Sequence, residues 1–226
     1  MSKKIILLKT GSTHPAIRQR FGDFEDWFLQ AWSGCDVKLV NAVTCEALPP
    51  LQGNEGVVIT GSPAMVTDQE PWSERLAHWL REQAHGQVPI LGVCYGHQLL
   101  AHALGGKVHW HPRGREIGTV PITCEPAARH DPLLKILPET FLAQVTHAQS
   151  VQTLPAGATL LAHNDYEPHH AFRVGTTTWG LQFHPEFSSE IMSAYIEENG
   201  GNPDLLAQVQ PADANQNILQ RFVELI

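Results

Sequence analysis

The sequence is poor in several features that would have assigned it to a class at once. Among 226 residues there are only four cysteines, Cys35, Cys45, Cys94 and Cys124, and no two form a Cys-x-x-Cys pair. A disulfide framework is not needed in a chain of this size, and a thiolate zinc site has no ligand set. No Lys/Arg run is longer than Lys3-Lys4, and the net charge is -8. A nucleic acid as main partner is disfavoured, because phosphate binding needs a basic face. The apolar run 5–8 near the N-terminus is cut by Lys9, too short for the core of a signal peptide. No apolar stretch approaches the length that spans a bilayer. A reduced, cytoplasmic protein is expected, one that leaves a special cysteine free as a thiol. Internal repeats and low-complexity linkers are lacking too.

What remains is globular composition, 42% hydrophobic and 17% charged. The length suits one α/β domain, 1–226, with a full core. Short apolar runs at 4–9, 36–41, 56–60 and 88–93 read as strands. Helical spacing at 23–33 (Phe24, Trp27, Phe28, Ala31), 72–84 (Leu76, Trp79, Leu80) and 98–104 places helices between and after them. Alternating strands and helices imply a parallel sheet covered on both faces. Farther on, 107–120, 141–145, 158–163, 171–174 and 177–183 read as strands, some antiparallel additions to the sheet, and 188–198 and 215–225 as helices. The expected fold is three-layer α/β: a mostly parallel central sheet, helices on both faces and added antiparallel strands, in the flavodoxin-like manner.

The most informative segment is Gly92-Val93-Cys94-Tyr95-Gly96, in which a buried strand runs into a cysteine and then a helix. Gly-x-nucleophile-x-Gly is the pattern of a strand-to-helix nucleophile elbow. The nucleophile occupies a strained turn, and side chains at Gly92 or Gly96 would strike the crossing backbone. A helix N-terminus favours the thiolate, and the Tyr95 N–H would face a developing oxyanion.

A thiol nucleophile needs a base, and 13 histidines offer too many. One stands apart: an apolar strand ends at Phe183-His184-Pro185-Glu186. Pro185 fixes the chain exit, and Glu186 could hold the imidazole in the tautomer whose free nitrogen faces the thiol. In a parallel sheet, ligand sites lie beyond the carboxyl ends of the strands, where Cys94 and His184 would both sit.

These motifs, with Gln98 four residues after the cysteine and Thr60-Gly61-Ser62-Pro63 after the third strand, resemble those of the class I, triad-type glutamine amidotransferases. Within that family the chain looks most similar to the glutaminase domain of GMP synthase and its stand-alone relatives. The resemblance implies that Cys94 attacks the side-chain amide of glutamine through a glutamyl thioester, that His184 moves the protons and that Glu186 orients His184. It implies backbone oxyanion donors at Tyr95 and at Ser62 or Gly61. It implies contacts to the α-amino acid end from Gln98 and from the segment Thr146, His147, Ala148. No cofactor and no metal are implied. Two departures stand out: Ser62 precedes Pro63 where the family has Gly, and Ala148 follows His147 where GMP synthases have Gly. Nothing resembles a Gly-rich phosphate loop with a Lys, so released ammonia has no built-in acceptor, and a separate synthase subunit is the partner implied.

The same triad would serve a stand-alone γ-glutamyl peptidase or hydrolase, and a non-enzymatic regulatory relative is a third reading. A peptidase or chaperone of the wider cysteine-elbow group would use a His close after the nucleophile, which His97 could imitate. Stand-alone relatives carry a run similar to Gly114-Arg115-Glu116-Ile117-Gly118 near the pocket mouth; an ordinary strand with a surface Arg reads equally well. His109 and His111, or His163, Asp165, His169 and His170, do not make a metal site by spacing alone. Trp27, Trp32, Trp72 and Trp79 read as core, and Cys35, Cys45 and Cys124 as inert.

Overall fold

The computed structural model describes residues 3–44, 47–84 and 86–226, the side chains of 213–216 apart; Cys45 lies outside these. In chain order the elements are β1 (Lys4–Lys9), α1 (Pro15–Phe21), α2 (Phe24–Ala31), β2 (Asp36–Asn41), β3 (Glu55–Ile59), α3 (Pro71–Gln83), β4 (Ile90–Val93) and α4 (Tyr95–Ala103). The second half holds β5 (Lys107–Trp110), β6 (Glu116–Cys124), β7 (Thr140–His147), β8 (Gln149–Thr153), β9 (Thr159–His163), β10 (Ala171–Val174) and β11 (Thr178–Leu181). It closes with α5 (Ser189–Glu198), α6 (Pro203–Ala207) and α7 (Asp213–Glu224).

Nine strands form one sheet in the order β2-β1-β3-β4-β11-β10-β9-β6-β7. The first five are parallel, and each later neighbour is antiparallel to the one before. Most strands therefore point one way. Side chains alternate across this sheet as the pleat demands. Ile5 and Leu7 meet Phe28, Trp32, Ile218 and Phe222, so α2 and α7 cover one face. Ile6 and Leu8 belong with Trp72, Leu76, Leu80 and Leu99, so α3 and α4 cover the other. The tryptophans serve as core: Trp27, Trp32 and Trp72 are buried, and Trp79 packs at the edge of the second cluster.

The structure departs from the sequence expectation in four places. The stretch 107–120 is two strands, because Pro112 and Gly114 (φ 89°) turn the chain between them. β5 leaves the main sheet and pairs antiparallel with β8, whose polar residues gave no strand signal. α1 was not expected, since it buries only Ile17. α6 buries nothing and is held by the Asn202 cap, so no periodicity marked it.

β4 lies between β3 and β11, with Val93 opposite Leu181. That arrangement brings the segments after these three strands to one edge of the sheet.

Candidate active site

Cys94 stands at the N-terminus of α4 with φ 51° and ψ -100°. Only it and Gln69 have positive φ among the described non-glycine residues. Such a conformation costs about 1–3 kcal/mol and persists only where its surroundings enforce it. Here they do. A Cβ on Gly92 would lie 2.3 Å from the Gly96 carbonyl oxygen, and one on Gly96 would lie 2.6 Å from that of Ile59. The Cys94 N–H donates to the Leu181 carbonyl at 2.8 Å, tying the elbow to β11. The Cys94 side chain is buried, and its Sγ lies 3.7 Å from the Thr146 carbonyl oxygen.

His184 follows β11. Its N–H donates to the Gln144 carbonyl at 2.9 Å, and its ring stacks on Phe187 at 3.9 Å between centroids. Nδ1 is 2.7 Å from Glu186 Oε1. Nε2 is buried without a hydrogen bond of ordinary geometry, and the Cys94 sulfur acts on the ring from close by. Burial alone drives the His184 pKa down, but the Glu186 carboxylate and the Cys94 sulfur outweigh it and push it up to about 10. A charged imidazolium beside the sulfur is the form these neighbours favour.

The loop after β3 is braced by Thr10. The Thr10 N–H donates to Thr60 Oγ1 at 3.1 Å, and the Thr10 hydroxyl is 3.0 Å from the Thr60 and Gly61 carbonyls. The Ser62 hydroxyl donates to the Thr10 carbonyl at 2.7 Å and accepts the Ala64 N–H at 3.1 Å. Serine in place of glycine thus fastens this loop to the one after β1. A Cβ on Gly61 would come within 3.2 Å of His184 Cε1, so the loop abuts the histidine.

These parts enclose a cavity of about 290 Å³, a size suited to an amino acid. Ser62, Cys94, Tyr95, Gln98, Thr146, His147, Ala148 and His184 all line it. Gly61 and Glu186 stand behind that wall. Both Gln98 N–H groups are committed inside, to the Gln149 carbonyl and to Gln182 Oε1, each at 2.9 Å. Its Oε1 is the atom left for a ligand. The His147 side chain is likewise turned inward, with Nδ1 3.0 Å from the Gln149 carbonyl and Nε2 2.8 Å from Glu116 Oε2.

Sequence reasoning did not find the buried cluster behind this wall. Glu116 accepts from Asn164 Nδ2 at 2.8 Å, and His170 Nε2 lies 3.4 Å from it. Burial pushes the Glu116 pKa up, yet the hydrogen bond with His147 and the nearby His170 ring hold it well below the usual carboxylate range. Burial keeps His170 below its ordinary value, against the pull of Glu116. The members are far apart in sequence, so no motif announces them. Thr13, His14, Arg115, Gln149, Tyr195 and Asn199 also reach the cavity.

The remaining candidates lie elsewhere. His97 is fully buried against Phe172, with ring centroids 4.9 Å apart, and burial holds its pKa well below the ordinary value. His111 stacks on Tyr166, and His163 pairs with Glu125 at 2.9 Å. Among the described residues, no group of three His, Cys, Asp or Glu is arranged to hold a metal ion. Burial, then Glu139, pushes the Cys124 thiol up to about 11.

Residues 29–201 match the family model described as "Glutamine amidotransferase class-I". A GMP synthase [glutamine-hydrolyzing] from Porphyromonas gingivalis is 32% identical over 188 residues, which is 82% of this chain and 33% of that protein. The chain thus spans about a third of the length of such relatives. Among solved structures, a glutamine amidotransferase from Thermotoga maritima superposes with a TM-score of 0.76 at 20% identity, covering 99% of this chain and 97% of that one. One from Methylobacillus flagellatus gives 0.73 at 21% identity, covering 100% and 92%.

Proposed function

The chain belongs to the class I glutamine amidotransferase family, and from that premise we propose that it hydrolyses the side-chain amide of glutamine through Cys94, His184 and Glu186. Residues 1–226 act in this reading as one glutaminase unit. The observation that carries it is the meeting of a strained cysteine elbow and a Glu-held histidine at the ends of two adjacent parallel strands.

The chemistry follows from the geometry. The Cys94 sulfur attacks the amide carbon, and the oxyanion takes N–H groups from Tyr95 and from Ser62 or Gly61. The imidazolium of His184 gives its proton to the leaving nitrogen, so the C–N bond breaks, ammonia departs and a glutamyl thioester remains. Neutral His184 then takes a proton from water. The resulting hydroxide adds to the thioester, the C–S bond breaks, and glutamate and the starting ion pair are recovered. Glu186 holds the ring throughout. Gln98 Oε1 and the backbone of Thr146 to Ala148 receive the α-amino acid end. Cys35, Cys94 and Cys124 are free thiols, which fits a reducing cytoplasm. The ammonia acceptor in this reading is a synthase.

The test is glutamate release from glutamine and, separately, from a γ-glutamyl dipeptide. Glutamine turnover that falls about 10⁴-fold or more in Cys94→Ala supports the proposal. Turnover of the dipeptide alone identifies a γ-glutamyl peptidase with the same triad. Silence on both substrates, with Cys94 unreactive to a glutamine-like affinity label, sinks the enzymatic reading.

A further inference from the structure

Among the described residues, Arg115 is the only Arg or Lys lining the cavity, and no Asp or Glu lines it. It follows Gly114, whose φ of 89° sets the turn into β6. β6 pairs with β7 so that Glu116 faces His147 and Ile117 faces Thr146. The guanidinium is thereby carried to the segment that floors the cavity. Its one hydrogen bond among the described residues is weak, from Nη1 to Thr146 Oγ1 at 3.4 Å. A guanidinium has five N–H donors in a fork that matches a carboxylate, so most of its capacity is unused. The neighbouring carboxylate does not fill it. Glu116 is turned inward to His147, Asn164 and His170 and cannot neutralise Arg115 from the cavity side.

Thr146 fixes the direction. Its carbonyl oxygen lies 3.7 Å from Cys94 Sγ, while its hydroxyl meets Arg115. Arg115 and the sulfur therefore flank one residue. In an extended γ-glutamyl group the α-carboxyl carbon lies about 5 Å from the reacting carbon, four bonds away. Two groups that flank one residue are separated by a distance of that order.

We propose that Arg115 anchors the substrate's α-carboxylate, which makes the site selective for glutamine or γ-glutamyl compounds whose α-carboxyl is free. Glutamine residues inside a peptide, whose α-carboxyl is an amide, are excluded. Glu116, held by its histidines, is a positioning residue for the turn that carries Arg115. This inference rests on the amidohydrolase reading above.

Calorimetry on Cys94→Ala protein, which binds without turnover, tests it. Glutamine is compared with its α-amide, each against the Arg115 of the chain, Arg115→Lys and Arg115→Met. Arg115 is exposed, so the fold survives these changes. Removing the carboxylate and removing the guanidinium should each weaken binding by about 10- to 100-fold. The two losses should not add, because both delete one contact, and Lys should restore part of the loss. An unchanged affinity in Arg115→Met, or fully additive losses, would overturn the proposal. A second measurement separates its failure from failure of the substrate reading. Cys94 is alkylated with iodoacetate and with iodoacetamide, and the rate ratio is compared between the unaltered chain and Arg115→Met. A ratio that falls several-fold shows that Arg115 draws an anion to the sulfur even if glutamine does not bind. An unchanged ratio rejects the anchor.

Discussion

The two halves of the sheet build the site by different means. In the parallel half, main-chain geometry does the work: a positive φ at Cys94, two glycines in backbone contact, and a loop stitched by Thr10 and Ser62. In the antiparallel half, side chains do it: Glu116, His147, His170 and Asn164 hold one another, and the cavity floor rests on them. A backbone device tolerates few residue types and acts on the reacting atoms. A side-chain network can be weakened in steps and acts on what binds. Changes in the first half should therefore lower kcat, and changes in the second should raise KM.

That contrast can be broken at its strongest point with Gly96→Ala. The new methyl meets the Ile59 carbonyl at 2.6 Å, where backbone must move. Turnover should drop to background, with a stability loss of at least about 2 kcal/mol in denaturant titration. Retained activity would mean that the elbow is not rigid.

Glu186→Gln should lower kcat about 100-fold with little change in KM. It also tests the charge of His184. Raised in the fold from 6.5 to about 10, this histidine contributes stability that is fully present below pH 6.5 and is lost as pH rises through 10. Without the Glu186 charge, its titration midpoint by NMR should move down by about 1–3 pH units. The stability gap between the two proteins should close above pH 10.

On the antiparallel side, Glu116→Gln keeps the shape and removes the charge that His147 and His170 share. We expect KM for glutamine to rise about 10-fold, kcat to stay within about 2-fold, and stability to fall by roughly 1–3 kcal/mol. A kcat effect as large as that of Glu186→Gln would erase the distinction between the halves. The smallest effect is expected for Ser62→Gly, which deletes the bond to Thr10 and costs about 1 kcal/mol. Activity measured across temperature would show the looser loop as an earlier decline.

The same contrast explains what the sequence made legible. Gly92, Cys94 and Gly96 lie within five residues because one tight turn needs all three, and His184 with Glu186 lie within three because one reaches the other directly. Local geometry writes local motifs. Glu116, His147, Asn164 and His170 meet only through strand pairing, so the chain carries no short pattern for them. Arg115 had two readings for the same reason, until Gly114 and β6 placed it at the cavity. The strands of the parallel half were readable from their apolar runs. β8 was not, because pairing rather than hydrophobicity makes it a strand, and α6 has no buried face to betray it.

The bond from the Cys94 N–H to the Leu181 carbonyl joins positions separated by more than a third of the chain. During synthesis, β1 to β4 can assemble early, but β4 then stands at an open edge with its thiol bare. β11 reaches that edge only after most of the antiparallel half has been made, and such long-range pairing is slow. The last strand to enter the sheet also brings the base. A growing or truncated chain thus holds a cysteine with no proton partner and an unpaired strand edge, a combination that favours aggregation. Competence for chemistry arrives in one step, with closure of the sheet.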